Sequence, residues 1–313
     1  MRKPFGHRPA RIAFVGQTTF FEACALGPGT PGFDPRFFEF RKDGDVHRLL
    51  SELRDFDPDV AVVFRPEVLP AGALHGLGAR TLGFLTEPLP RQLSGAPVHD
   101  DLQRRLWELR QVDASNFDRI VTFDPHIAAS AEDVLPIWRS LPLPVADRYF
   151  APVPPPSNDP PRVLFVGRST PHREQLLTEA KHRFEILHLA FGIGADELEE
   201  VLDTHDVGIN LHNNPYPSFE NRVCLHLAAG HLVLSEWLNP THGLEPHLDF
   251  VVVETDGEIV NALMNLQRFP SMWHRVRVRG RRKAEQFRAS RVYPRLIGDL
   301  FADLDAFGSD RAA

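Results

Sequence analysis

The sequence predicts an α/β protein made of two similarly built halves, on three observations. Two continuous apolar runs that end in glycine, RIAFVG at 11–16 and RVLFVG at 162–167, read as strands buried on both faces. Around each run, apolar strand-like segments alternate with amphipathic helix-like ones, the order that yields right-handed βαβ units and a parallel sheet. Between the halves, FAPVPPPSNDPP at 150–161 is dense in proline, which removes backbone donors and favours an extended segment. These features predict Rossmann-like domains at 1–149 and 162–313, joined by a linker at 150–161 and facing each other across a cleft.

In the first half the expected elements run RIAFVG (strand), RFFEFR (strand), DVHRLLSELRDF (helix), DVAVVF (strand), LPAGALHGL (short helix), ARTLGFLTE (strand), DLQRRLWELRQVD (helix) and DRIVTFD (strand). The second half repeats the alternation through PHREQLLTEAKH, FEILHLA, ADELEEVLDTH, DVGINLH, SFENRVCLHLAAG, HLVLSEW, FVVVET and GEIVNALMNLQ. The tail continues helically through SMWHRVRVRGRRKAEQF and YPRLIGDLFADLDAF, whose last helices can pack back over the first domain.

Composition narrows the function. The 313 residues carry a formal net charge of −7, so there is no overall basic field to hold nucleic acid. The two cysteines, Cys24 and Cys224, form neither a metal-ligand pair nor a disulfide framework, which fits a reducing cytoplasm. The apolar part of MRKPFGHRPARIAFVG is too short for an export signal, and no stretch approaches the ~18 apolar residues of a membrane span. Membrane contact would be peripheral. The run containing Arg275, Arg277, Arg279, Arg281, Arg282 and Lys283 spreads around a helix, which favours a solvated helix over a lipid-facing one. The fifteen histidines contain no HExxH pair, and DFDPD at 55–59 reads as turn carboxylates, so no metal site is expected.

Open α/β sheets bind ligands at the carboxyl ends of their strands, where helix N-termini and loop amides converge. In the first half this selects Gly16 and Gln17 of GQTT, and Glu87 of TEPLP as a base or hydroxyl-binding group. In the second half, GRSTPHR carries Gly167, Arg168 and Arg173, two cations suited either to a diphosphate or to ordinary surface pairing. In HNNPYPSFENR, Ser218 after Pro217 is an N-cap candidate that would aim the amides of Phe219, Glu220 and Asn221 at an anion. Arg222 would reach a phosphate or pair with Glu220, and His212, Asn213 and Glu245 lie on the same set of loops.

From DVGINLHNNPYPSFENRVCLHLAAGHLVLSEW onward the second half resembles the C-terminal domain of GT-B glycosyltransferases, in particular the CgeB-like branch of the group 1, GT4-like superfamily; the likeness covers roughly 162–288. The resemblance implies a hexosyltransferase-like enzyme with no cofactor, using a nucleotide-diphosphate sugar as co-substrate. It places the donor in the second domain and an acceptor hydroxyl in the first. The matching diphosphate positions are Arg168 and Arg173, and Pro217 to Arg222 match the cradle for sugar and phosphates. Many group 1 enzymes also carry a spaced pair of glutamates; here Pro217 and Leu225 stand at those positions, leaving Glu220 or Glu245 to substitute. Glu87 and Glu220 are the carboxylates expected to act in catalysis. The rivals are a catalytically degenerate nucleotide-binding module and a GT-B-fold sugar-nucleotide epimerase.

Overall fold

The computed structural model describes residues 8–87, 100–125, 127, 134–190 and 192–309. The basic N-terminal heptapeptide and positions 88–90 of the TEPLP loop lie outside the described residues. Two compact units emerge, one formed by 1–146 with 289–313 and the other by 147–288.

The first unit holds a parallel sheet in the order β2-β1-β3-β4-β5-β6. The strands are β1 (Ala10–Gly16), β2 (Phe33–Glu39), β3 (Val60–Phe64), β4 (Arg80–Leu85), β5 (Arg119–Thr122) and β6 (Ile137–Ser140). β1 and β3 pair in the register Ile12↔Val60. Pro35 is tolerated because β2 lies at an edge. Alternation along β1 sends Ala13 and Val15 to one apolar face and Ile12 and Phe14 to the other. Helices α1 (Thr18–Phe21), α2 (Val46–Phe56) and α3 (Asp100–Leu109) belong to this unit. The segment LPAGALHGL forms turns instead of the expected short helix, with Gly72 and Gly76 at φ +67° and +76° interrupting it. The strand IWRS at 137–140 was not anticipated, since its four half-buried residues show no apolar run.

The second unit holds β7 (Val163–Val166), β8 (Ile186–Leu189), β9 (Val207–Asn210), β10 (Leu232–Ser235) and β11 (Val251–Val252) in the parallel order β11-β10-β9-β7-β8. Around it lie α4 (Pro171–Arg183), α5 (Ala195–Asp203), α6 (Asn221–Ala228), α7 (Asp256–Arg268) and α8 (Pro270–Lys283). Counted from each unit's first strand, both sheets share the order 2-1-3-4-5, which β6 extends by a sixth strand in the first unit. The strand order therefore reverses between β1 and β3, and again between β7 and β9. Gly208 lets α6 approach β9, because a Cβ there would meet the His226 ring at 2.2 Å.

The last helix, α9 (Ala289–Phe307), departs from chain order and packs on the first sheet. It buries Tyr293, Leu296, Ile297 and Leu300 with Ile12, Phe14 and Val62. Arg119 pairs with Asp303 at 2.7 Å, and Tyr293 Oη donates to the Cys24 carbonyl at 2.7 Å. Each such apolar side chain contributes roughly 1.5–3 kcal/mol on burial, which explains why residues 289–313 leave the second unit despite following it in sequence. The 150–161 segment falls within the second unit. Among the described residues no helix is long and apolar enough to cross a membrane.

Candidate functional site

The carboxyl ends of β7, β9 and β10 meet at the strand-order reversal of the second unit. β7 ends at Val166 and turns at Gly167, whose φ is +151°. A Cβ at Gly167 would lie 2.9 Å from Nη1 of Arg222 and 3.0 Å from Nη1 of Arg173, so glycine is what makes room for two adjacent guanidiniums. Thr170 caps α4: its hydroxyl accepts from the Arg173 amide at 3.3 Å and donates to the Asn213 carbonyl at 3.0 Å. That cap sets Arg173 in the first turn, facing inward.

Arg173 is only 2% exposed. Its Nε donates to the Leu211 carbonyl and its Nη1 to the Arg168 carbonyl, both at 2.9 Å. Burial and then the neighbouring charge of Arg222 lower its pKa to about 9. Arg222 laces the strand ends together, its Nε donating to Asn210 Oδ1 at 2.7 Å and its Nη1 to the Val166 carbonyl at 2.8 Å. Its Nη2 lies 3.2 Å from Glu220 Oε2. Burial pushes the Glu220 carboxyl up, but Arg222, His212 and Arg173 together outweigh it and hold the group below the usual carboxylate range.

His212 is buried, and burial lowers its pKa, so the imidazole is neutral. With Nε2 at 3.0 Å from the Trp237 carbonyl, Nε2 carries the proton and Nδ1 accepts from the Ser218 hydroxyl at 3.0 Å. That hydroxyl also lies 3.2 Å from Glu220 Oε1. Glu236, next after β10, accepts from the His212 amide at 2.6 Å and from His172 Nε2 at 2.8 Å. Sequence reasoning missed Glu236, His172 and Asn210; the first and last border strand ends, the one signal that marked them.

Several expected roles are corrected. Arg168 and Arg173 are not a matched pair, because Arg168 is exposed and makes no ion pair among the described residues while Arg173 is buried beside Arg222. Ser218 is not the N-cap: it bridges to Leu238, and α6 starts at Asn221 with Glu220 as its cap residue. Phe219 is core, 2% exposed and edge-on to His242 at 4.5 Å. Asn213 gives its carbonyl to Thr170, while its buried Oδ1 finds no hydrogen-bond partner. Glu245 is paired with Lys283 at 3.3 Å and with Arg279 at 3.6 Å instead of joining the cluster. Leu225 is buried apolar surface, as its side chain requires.

In the first unit, Gly16 is a packing glycine, where a Cβ would meet Phe64 at 3.2 Å. The Gln17 carbonyl accepts from Phe20 and Phe21, and Thr18 binds Glu39 through both its amide and its hydroxyl at 2.7 Å. Glu87, just past β4, pairs with Arg105 at 2.6 Å.

The sequence matches no protein-family model and no curated protein, so the narrower CgeB-like likeness rests on the motif alone. Solved structures are similar over nearly the whole chain. HepE from Anabaena in complex with UDP-glucose shares 11% identity at a TM-score of 0.62, covering 93% of this chain and 99% of that one. An α-glucosyltransferase in complex with UDP-glucose and DNA containing an abasic site shares 11% at 0.60, covering 93% and 99%. A sucrose-phosphate synthase from Thermosynechococcus elongatus shares 12% at 0.58, covering 95% and 99%. The protein therefore has the α/β fold of the GT-B glycosyltransferases.

Proposed function

We propose that this protein is a glycosyltransferase that moves a hexose-type sugar from a nucleotide-diphosphate donor to an acceptor hydroxyl. The observation that carries the proposal is the pair of adjacent guanidiniums, Arg173 and Arg222, gathered around Gly167 at the strand-order reversal of a GT-B fold. Most of their donors already hold Val166, Asn210 and Leu211, so they act as a fixed positive field and a frame for the Gly167–Thr170 turn. Exposed Arg168 is the side chain left to touch the diphosphate directly.

As the sugar–phosphate bond breaks, negative charge grows on the departing diphosphate. Preorganised cations offset that charge without reorganising, and no metal is needed for this task. A retaining course follows if the departing phosphate takes the proton of the attacking hydroxyl. UDP-glucose, which HepE and the α-glucosyltransferase bind, sets the first donor class to test. Glu220, held ionised beside Arg222, would meet sugar hydroxyls.

One specific feature favours a second reading, a nucleotide-binding module without transfer activity: Pro217 and Leu225 occupy the positions of the usual paired glutamates. A thermal-shift screen of UDP, GDP, TDP and ADP with their sugars, followed by acceptor-dependent release of nucleoside diphosphate, separates the two. Binding with turnover supports transfer and binding without turnover supports the module. No shift with any nucleotide overturns both.

A further inference from the structure

The second unit presents a basic face that the proposed function does not use. α8 packs inward through Trp273 and Val276 and buries Arg277 and Gly280. Arg281 is turned in as well, donating through Nε to the Ala151 carbonyl at 2.7 Å and pairing with Glu285 at 2.8 Å. The cations of this run therefore do not spread around the helix into solvent, as the sequence alone suggested. Arg275, Arg279 and Arg282 are the exposed ones, and with Met272 they recur every three or four residues, which puts them on one side of α8. Exposed Arg268 and Phe269 immediately precede the helix.

Two independent features of this face call for a partner. Phe269 and Met272 are 57% and 53% exposed, and the Met272 amide donates to the Phe269 carbonyl at 3.1 Å, so two large apolar side chains stand in water within one turn. Arg268, Arg275 and Arg282 make no hydrogen bond or ion pair among the described residues. The carboxylates at the C-terminal end of the face, Glu245 and Asp249, are taken by Arg279 and Lys283. Unpaired guanidiniums suit an anion, and an exposed Phe–Met pair suits an apolar phase; a bilayer of anionic lipid offers both in one plane. Because the chain as a whole carries −7, arginines alone hold a polyanion weakly, and the apolar pair decides for a bilayer over a nucleic acid. We propose that the outer side of α8, with Arg268 and Phe269, is a peripheral docking surface for membranes that contain anionic lipid. Phe269 and Met272 enter the headgroup region, while Arg268, Arg275 and Arg282 pair with lipid phosphates, their stems lying along the apolar boundary. The proposal goes beyond the reading of the strand-end site and does not depend on it.

The test is flotation of the full chain with vesicles of phosphatidylcholine alone and of phosphatidylcholine with about 30% phosphatidylglycerol. The chain is expected to float with the anionic vesicles only. Arg275→Glu combined with Arg282→Glu should lower the partition coefficient about tenfold or more, because each cation near the surface strengthens binding several-fold. Phe269→Ser combined with Met272→Ser should lower it by a similar factor through lost apolar burial. All four positions are exposed, so unchanged melting midpoints will show that the variants fold. The idea is overturned if the chain does not float with anionic vesicles, if it floats equally with neutral ones, or if either double variant binds like the wild type. It is also overturned if single-stranded RNA at equal phosphate concentration displaces the chain from the vesicles, which would assign the face to nucleic acid. The UDP-dependent melting shift should be the same in both variants as in the wild type, so failure here is distinguishable from failure of the donor-site assignment.

Discussion

The second unit should lose stability in mild acid through one buried imidazole pair. His226 and His231 are 0% and 1% exposed, with their Nδ1 atoms 3.0 Å apart. His231 Nε2 faces the Leu202 carbonyl at 2.8 Å and so carries the proton. Its Nδ1 is then an acceptor, and His226 Nδ1–H must be the donor, so each ring is held neutral in one tautomer. Burial lowers the His231 pKa to about 4, and burial followed by the His231 charge depresses His226 well below its ordinary value. Between pH 6.5 and 4 the unfolded chain binds protons that the folded chain refuses, so stability falls as pH falls and is fully present above about 6.5. For His231 the loss is about 2 kcal/mol at pH 5 and about 3 kcal/mol below pH 4, with a slope near 1.4 kcal/mol per pH unit between. His226 adds in the same direction. Urea unfolding of the wild type and His231→Gln at half-unit pH steps measures this. The variant should show a shallower slope between pH 4.5 and 6, and equal slopes would refute the reasoning.

Other perturbations test the proposed donor site and the first unit. Gly167→Ala should abolish the UDP-dependent melting shift, since its Cβ meets Arg222 and Arg173 at 2.9 and 3.0 Å; scanning fluorimetry with and without UDP measures it. Arg168→Ala should leave the unliganded midpoint unchanged and raise the nucleotide Kd about tenfold, the loss of one charge-assisted contact, as read by titration calorimetry. Glu220→Gln should tighten nucleoside-diphosphate binding by removing a counter-charge from Arg173 and Arg222 while lowering turnover, a split seen by comparing Kd with kcat. Tyr293→Phe should cost about 1 kcal/mol by urea denaturation, because the Cys24 carbonyl loses a buried donor.

The strands of both sheets were legible because RIAFVG, DVAVVF and RVLFVG are buried on both faces and written as unbroken apolar runs. IWRS was not, since an edge strand with half-buried residues carries no such pattern. The loops that follow β7, β9 and β10 could also be located in the sequence, by the strand-end rule. Which side chains turn inward was not. Arg173 and Arg277 sit in stretches that read as polar, yet backbone carbonyls of Leu211 and Gly230 hold them inside, partners that only tertiary structure supplies. The cap at Ser218 failed for a similar reason: pairing with Leu238 takes it out of the helix start, and the cap passes to Glu220.

The charges at the carboxyl ends of β7, β9 and β10 explain why the cluster is stable without a ligand. Arg173 and Arg222 repel one another in a poorly solvated site, and Glu220 and Glu236 raise the Arg173 pKa against that repulsion. With two guanidiniums set against two carboxylates, the free site is close to neutral and its side chains are locked by hydrogen bonds. A diphosphate bound as proposed therefore could not draw on unpaired buried charge. Its attraction has to come from Arg168, from the amides at the start of α4, and from the residual field where the guanidiniums stand nearer the Gly167 turn than the carboxylates do. On the proposed function, this division of labour would make Arg168 the affinity group and Arg173 with Arg222 the framework, the reverse of what a matched arginine pair would imply.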